Sequence, residues 1–335
     1  MPDRWGEKLI ALSLGKRYIS KLEVINNVFK FATLGDIVIT PATEIPESKE
    51  AIALDHAETI LQGETLDFSD QGLIAKHLPL FIAGGGSPGG ARPKLLIDDQ
   101  GKQWLYKFNL RSDPFNTAIA EWASLEVARR AGLNVPEHEL TKLGGVQCFR
   151  IKRFDVSPAG GRYHLLTLNS LLKDEQSRDP HIASYEDIAS LIRRYSEDPL
   201  TDCRLLLGQM LINRELRNTD DHLRNFSFIN KGDGWRLSPV YDVVPDPTTG
   251  KYHQIRLFSL DFLPGLEQAV KAGEALGVGA KISEQVAQSV SQAIGQWDAI
   301  LEEANTEHSD LLLLKKIVRI DLKTRKKHHS KLKPR

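Results

Sequence analysis

The sequence predicts an α+β fold in two parts, a small sheet-rich lobe followed by a larger helical one. Two observations predict it. Extended runs separated by turn signals crowd the chain up to about Asp155, and beyond that point apolar residues recur mostly at helical spacing. The length, 335 residues, also exceeds what one hydrophobic core organises, since single cores stop growing near about 250–300 residues.

Taken in order, the N-terminal stretch mixes signals: LGDIVITPAT reads as a strand and Glu47 to Leu61 as an amphipathic helix. IAGGGSPGGARPK is the most glycine-dense point of the chain. KLLI and QWLYKFNL read as a strand pair joined by DDQGK, whose Asp and Gly suit a short hairpin loop. Asn116 to Ala131 carries apolar positions at helical spacing, with Gly132 and then Pro136 as the stop. VPEHELTKL and VQCFRIKRFDV complete an antiparallel sheet with one helix laid on it. Helices are then expected at Tyr185–Tyr195, Thr201–Arg217, Gly265–Leu276 and Ile282–Ala304, with a strand-turn-strand at FSFIN, KGDG, WRLSPV.

Composition narrows function only by exclusion. Hydrophobic residues make up 41% and 44 basic residues balance 44 acidic ones, so no global charge draws the protein to nucleic acid. Cys148 and Cys203 stand far apart without metal-ligand spacing, which argues against a disulfide framework or structural zinc. The N-terminus has no apolar signal-peptide core, and no run approaches the roughly 18–20 apolar residues that span a bilayer. A cytoplasmic protein without membrane contact is expected. From Lys315 onward, KKIVRIDLKTRKKHHSKLKPR holds Asp321 as its single acid and reads as a solvated, mobile tail, with a nucleic-acid or acidic-partner contact as the alternative.

Chemistry concentrates in NTDDHLRNFSF, Asn218 to Phe228. Asp220 and Asn225 stand five apart directly after a long apolar helix, and Asp242 follows in PVYDVVPD after the strand-turn-strand. A phosphotransferase needs one carboxylate for the attacking hydroxyl, and an amide with a second carboxylate to hold Mg²⁺ against phosphates. The D-x-x-x-x-N spacing matches the protein-kinase template, whereas its H-R-D and D-F-G letters are absent. The motif alone leaves a second reading open, in which Asp220 and Asp221 cap a turn and Asn225 satisfies local backbone.

The first half of the chain favours the phosphotransferase. In GGGSPGGARPK the N–H groups of Gly89, Gly90, Ala91 and Arg92 are candidate phosphate donors. Lys107, in WLYKF, is a candidate cation for the same phosphates and Glu121 its candidate partner. The plainer alternative makes Lys107 an exposed alternation residue.

At these residues the chain resembles the HipA-like serine/threonine kinases of bacterial toxin–antitoxin systems. The resemblance runs from about Pro2 to Asn305 and is carried by SPGGARPK, YKFN, RFD at Arg153 to Asp155, and NTDDHLRNFSF with SPVYDVVP. It implies a two-lobed protein-kinase-like fold, ATP and Mg²⁺ as cofactors, and a protein substrate, with an aminoacyl-tRNA synthetase as one target class. By resemblance, Asp220 is the catalytic aspartate, His222 lies beside the phosphates, Asn225 and Asp242 are the metal ligands, and Lys107 is the phosphate lysine. Lys152 to Phe154 would present backbone to adenine and Asp155 would bind ribose. Ser87 matches a loop serine that is autophosphorylated to shut the kinase off, and a dianion at that position would compete with ATP.

The implied divisions are residues 1–80, the N-terminal part of the N-lobe; 81–155, the nucleotide-binding N-lobe with its hinge; 156–310, the helical lobe; and 311–335, the basic tail. Relatives often carry a further N-terminal subdomain, so a truncated product or a separate polypeptide supplying that piece is expected. A helix-turn-helix antitoxin is the implied partner, with DNA contacted through it. Three other functions compete with the toxin kinase. They are a small-molecule phosphotransferase, a degenerate kinase fold acting as corepressor or binding protein, and a metal hydrolase using Asp220, His222 and Asp242. The last explains neither the glycine loop nor Lys107.

Overall fold

The structure is a computed structural model, and it describes residues 4–27, 35–36, 51–62, 70–85, 92–172, 183–248, 252–258 and 263–329. The chain forms two compact units, residues 1–113 with 136–165, and residues 114–135 with 166–335.

In the first unit, helices α1 (Arg4–Ser13) and α2 (Lys21–Ile25) precede a short strand β1 (Ile52–Ala53) and helices α3 (Leu54–Leu61), α4 (Gln71–Lys76) and α5 (Leu78–Gly85). Strands β2 (Lys94–Asp99) and β3 (Lys102–Phe108) follow. After an excursion of the chain into the second unit come β4 (His138–Leu143) and β5 (Val146–Lys152). The strands form one sheet of order β1-β2-β3-β5-β4, antiparallel except for β1, which runs parallel to β2 with Ile52 opposite Ile97.

The sequence explains both hairpins. Gln100 and Gly101 have φ of 54° and 80°, and Gly144 and Gly145 have 55° and 81°. Two successive positive φ values turn a chain with the same hand as the strand twist, which is why short loops here carry glycine. Asp98 accepts the Gly101 N–H at 2.8 Å. Leu95 and Ile97 of β2 and Trp104, Tyr106 and Phe108 of β3 enter one core with Trp5, Leu9 and Ile10 of α1 and Phe81 of α5. Trp5 meets Phe81 edge-on, their ring centroids 5.9 Å apart.

The second unit opens with α6 (Thr117–Arg130), capped by the Asn116 side chain on the Ile119 N–H at 3.2 Å. After β6 (His164–Thr167), within which the division of the chain at residue 165 falls, come α7 (Leu168–Leu172), α8 (Tyr185–Tyr195), α9 (Pro199–Glu215), β7 (Ser227–Asn230), β8 (Trp235–Leu237), α10 (Ala269–Leu276), α11 (Ala280–Ile294), α12 (Trp297–Glu303) and α13 (His308–His329). The strands form a sheet of order β6-β7-β8. Helix α9 is buried on nearly every side and packs against α6, α8, α10 and α11. Gly273 lets α10 approach α11, since a Cβ there would lie 1.9 Å from the Ser283 hydroxyl.

Several expectations are redrawn. The helix expected over Glu47–Leu61 begins, among the described residues, only at Leu54, because β-branched Ile52 pairs with Ile97 instead. Of LGDIVITPAT only Gly35 and Asp36 are described, and they form a bend. Helix α6 belongs to the second unit and packs there on α9, α11 and α12; within the first unit β2 is covered by α3 and α5. One helix expected over Ile282–Ala304 is two, divided at Gly295 and Gln296. The stretch read as a mobile tail begins inside α13, where Leu314, Ile317 and Val318 are buried. Their spacing of three and four residues makes an apolar stripe that the abundance of lysine masks.

Candidate active site

Helix α9 sets out the second unit's polar centre from both of its ends. Near its N-terminus Asp202, fully buried, accepts the Leu237 N–H at 2.8 Å and the Arg236 guanidinium at 2.9 Å, which ties down strand β8. At its C-terminus Arg217 takes a left-handed φ of 58° and turns the chain out of the helix. The loop that follows is held back against the helix. The Asn218 N–H donates to the Asn213 carbonyl at 2.8 Å, and its side-chain amide donates to Asn213 Oδ1 at 3.0 Å.

A buried relay continues from there. Asn213 donates to the Tyr185 hydroxyl at 3.2 Å, and Tyr185 donates to Asp221 Oδ2 at 3.1 Å. His253, with Nδ1 carrying the proton, donates to the same oxygen at 3.1 Å, and the Gln254 N–H donates to Asp221 Oδ1 at 2.8 Å. Burial, reinforced by the Asp221 charge, pushes the Tyr185 phenol well above its ordinary pKa, so it remains a donor. Asp221, which the sequence suggested as turn chemistry only, is therefore the anchor of the loop. Thr219 adds a bond to Asp246 at 2.7 Å, and the Asp246 N–H returns to the Arg217 carbonyl at 2.9 Å.

Asp220, the next residue back, is exposed. Its carbonyl accepts Asn225 Nδ2 at 3.0 Å, and its carboxylate accepts the Gln254 side-chain amide. The five-residue spacing thus closes a small ring at the start of a 3₁₀ turn, Leu223–Asn225. With Nδ2 so directed, Asn225 turns its Oδ1, the metal-binding atom of an amide, the other way. The His222 Nδ1 is buried and has no hydrogen-bond partner among the described residues.

Asp242 follows the β7–β8 hairpin. That hairpin is prolonged by the Ser238 N–H to the Ser227 carbonyl at 2.8 Å, and Tyr241 bridges Ser227 Oγ at 2.7 Å and the Arg224 carbonyl at 2.9 Å. Asp242 itself has φ of 60° and is half-buried. Asp is among the few non-glycine residues that tolerate this region, and such strain collects at functional sites. An Asn oxygen and a single carboxylate suit Mg²⁺, which commonly takes one or two protein ligands and completes its shell with phosphate and water. Among the described residues no group of three or more His, Cys, Asp or Glu is placed to hold a metal.

The first unit places its candidates as follows. Lys107 is half-buried in β3, opposite Lys94 on one side and Phe149 on the other. Glu121, its expected partner, is buried in α6 of the second unit. Arg92 forms an ion pair with Asp113, whose carboxylate also accepts the Leu110 N–H at 2.8 Å. Ser87, Gly89, Gly90 and Ala91 lie outside the described residues. At the connector, the Lys152 N–H donates to the Glu137 carbonyl at 2.8 Å and the Arg153 N–H to the Gln103 carbonyl at 2.9 Å. Phe154 is half-buried.

Asp155 is 2% exposed. Arg153 grips it with both arms, Nε to Oδ1 at 2.9 Å and Nη2 to Oδ2 at 2.6 Å, and the Gly35 N–H donates to Oδ2 at 2.6 Å. Burial alone would raise its pKa, yet the Arg153 guanidinium and the Gly35 N–H hold it below the usual carboxylate range. Neighbouring Arg162 is lowered to about 10 by burial and by the like charge of Arg153. Ribose contact at Asp155 would require one of these bonds to be exchanged.

Sequence reasoning missed Tyr185, Asn213, Asp221, His253 and Gln254. Only the pairing of two acids at Asp220 and Asp221 hinted at them, since adjacent carboxylates need different surroundings.

A family model described as the HipA-like C-terminal domain matches residues 86–297. A protein named "Putative kinase" from Haemophilus influenzae is 31% identical over 160 residues, 44% of this chain and 46% of that protein. A second so named, from Sinorhizobium fredii, is 34% identical over 61 residues, 18% of this chain and 14% of its own length. The chain thus spans less than half the length of these curated relatives. Among solved structures, the HipA toxin–antitoxin complex of Shewanella oneidensis, determined with HipB and operator DNA, matches with a TM-score of 0.63 at 16% identity. It covers 93% of this chain and 80% of that one. That likeness is one of fold, which is α+β and kinase-like. No helix among the described residues is long and apolar enough to cross a membrane.

Proposed function

The chain belongs to the family that carries the HipA-like C-terminal domain, and from that membership we propose that it transfers the γ-phosphoryl group of ATP to a serine or threonine hydroxyl of a cytosolic protein. One observation carries the reading. Of two adjacent acids, Asp221 is sealed by three donors while Asp220 is exposed, with its main chain held by the Asn225 amide.

In the proposed reaction the acceptor oxygen attacks the γ-phosphorus, the bond to the ADP oxygen breaks, and Asp220 takes the hydroxyl proton. Asn225 Oδ1 and the Asp242 carboxylate are the groups that would hold Mg²⁺, which offsets phosphate charge when bound. His222 offers its buried Nδ1 to a phosphate. Lys107 and the N–H groups of Gly89, Gly90, Ala91 and Arg92 are assigned to the phosphates, the backbone of Lys152 to Phe154 to adenine, and Asp155 to ribose. Ser87 is assigned as the autophosphorylated residue.

The Shewanella neighbour was determined with HipB and operator DNA. On that basis we assign this chain a toxin role, with a helix-turn-helix antitoxin as partner and DNA reached through it. A translation component such as an aminoacyl-tRNA synthetase is the proposed target class.

Incubation with γ-labelled ATP and Mg²⁺ tests the reading. Label should appear on protein acceptors and on Ser87, and Asp220→Ala should lower transfer by about 10²–10⁴-fold, the range of a lost general base, with folding intact. Label on small acceptors alone would assign a small-molecule phosphotransferase. Failure of ATP with Mg²⁺ to raise the melting temperature, where a helix-turn-helix partner does raise it, would assign a binding protein.

A further inference from the structure

Residue 254 touches both acids of the pair. Its N–H donates to Asp221 Oδ1 at 2.8 Å, and its side-chain amide donates to Asp220 Oδ1. We propose that Gln254 is a positioning residue for Asp220, fixing one carboxylate oxygen so that the other faces the acceptor hydroxyl. The inference rests on the reading of Asp220 as the group that takes the acceptor's proton.

Three features support it. First, the base of Gln254 is rigid, because the oxygens that hold it and His253 belong to a carboxylate that is 0% exposed and also accepts Tyr185. Second, the segment bearing Gln254 is fastened along its length. The Arg256 N–H donates to the Ala183 carbonyl at 3.1 Å and its carbonyl accepts the Tyr185 N–H at 2.8 Å, while the Phe258 N–H donates to Glu186 at 2.9 Å. Third, Asp220 Oδ2 has no hydrogen-bond partner among the described residues, so the amide on Oδ1 is what orients the group.

The choice of an amide has chemical meaning. A lysine or arginine would orient the carboxylate and also offset its charge. Gln254 is neutral, so it orients Asp220 without supplying an opposing charge. An exposed side chain can do this only if its backbone is fixed elsewhere, which is what Asp221 provides.

Steady-state kinetics on the full chain, with ATP, Mg²⁺ and a serine peptide acceptor, test the proposal. Gln254→Met keeps the length and removes the donor, Gln254→Glu replaces it with an acid, and Gln254→Lys restores a donor. Misplacement by about 1 Å can cost about 100-fold, so kcat is expected to fall about tenfold in Gln254→Met and further in Gln254→Glu. The KM for ATP should stay within about twofold, because ground-state nucleotide binding is untouched. Gln254→Lys restores the orienting donor but offsets the Asp220 charge, so its kcat should lie between those of wild type and Gln254→Met. Equal melting temperatures would separate the effect from unfolding.

Wild-type kcat in both donor-less variants would overturn the proposal and leave the Asp220 reading standing, and so would an equal loss in all three. A wild-type chain that transfers no phosphate would overturn both.

Discussion

The two units each bury a carboxylate next to a chain reversal, and they treat it in opposite ways. Asp155 in the first unit is matched by a full positive charge, gripped by both arms of Arg153. Asp221 in the second is surrounded by a phenol, an imidazole and a backbone N–H. The first arrangement fixes the connector to itself and, through the Gly35 N–H on Asp155 Oδ2, to a segment distant in sequence. The second uses the buried acid to fix residues that then act on its exposed neighbour, Asp220. A carboxylate satisfied by several hydrogen bonds organises a loop through the residues bound to it, whereas an ion pair offsets the charge of its own acid.

The largest expected effect breaks the first of these. Asp155→Ala leaves the 2%-exposed Arg153 guanidinium side chain without its carboxylate, and stranding one partner of a buried pair costs about 3–5 kcal/mol. Urea denaturation would show it as a lowered midpoint. Because the folded pKa of Asp155 is depressed, its stabilisation is present above the unfolded carboxylate pKa and is lost as pH falls through the folded one. The gap between wild type and Asp155→Asn should therefore close in acid and be full at neutral pH. A gap independent of pH would remove the ion pair from the account.

Asp221→Asn is the counterpart in the second unit, with a smaller expected loss of about 1–3 kcal/mol, since one amide oxygen and one amide donor must now face groups that all donate. It should also lower kcat, because Gln254 loses its fixed base. An unchanged kcat with lowered stability would show that the two acids are uncoupled, and would make the second unit resemble the first.

This asymmetry explains what could be read in advance. The hairpin at Gln100–Gly101 and the helix Tyr185–Tyr195 were legible because their causes are local: turn residues and apolar spacing. Asp220, Asn225 and Asp242 were legible as a spacing. The contrast between Asp220 and Asp221 was not, because it depends on the reversal at Arg217 and on His253 and Gln254, more than thirty residues downstream. Helix α13 was hidden for another reason: charge count outweighed period where Leu314, Ile317 and Val318 needed the period to be seen.

The smallest effect sharpens the comparison most. Tyr185→Phe keeps the ring, which packs edge-on to Phe226 at 5.8 Å, and removes only the hydroxyl. Asp221 then loses one of three donors and Asn213 loses an acceptor, for about 1 kcal/mol. Because the Tyr185 pKa is raised by burial and by Asp221, its protonated form contributes stability that is complete below the unfolded phenol value, about 10, and is lost as pH rises above it. Wild type should therefore lose stability more steeply than Tyr185→Phe above about pH 10, and the two curves should converge there. Parallel curves through that range would mean that Tyr185 does not donate to a charged Asp221, and the hydrogen-bonded acid of the second unit would need another partner.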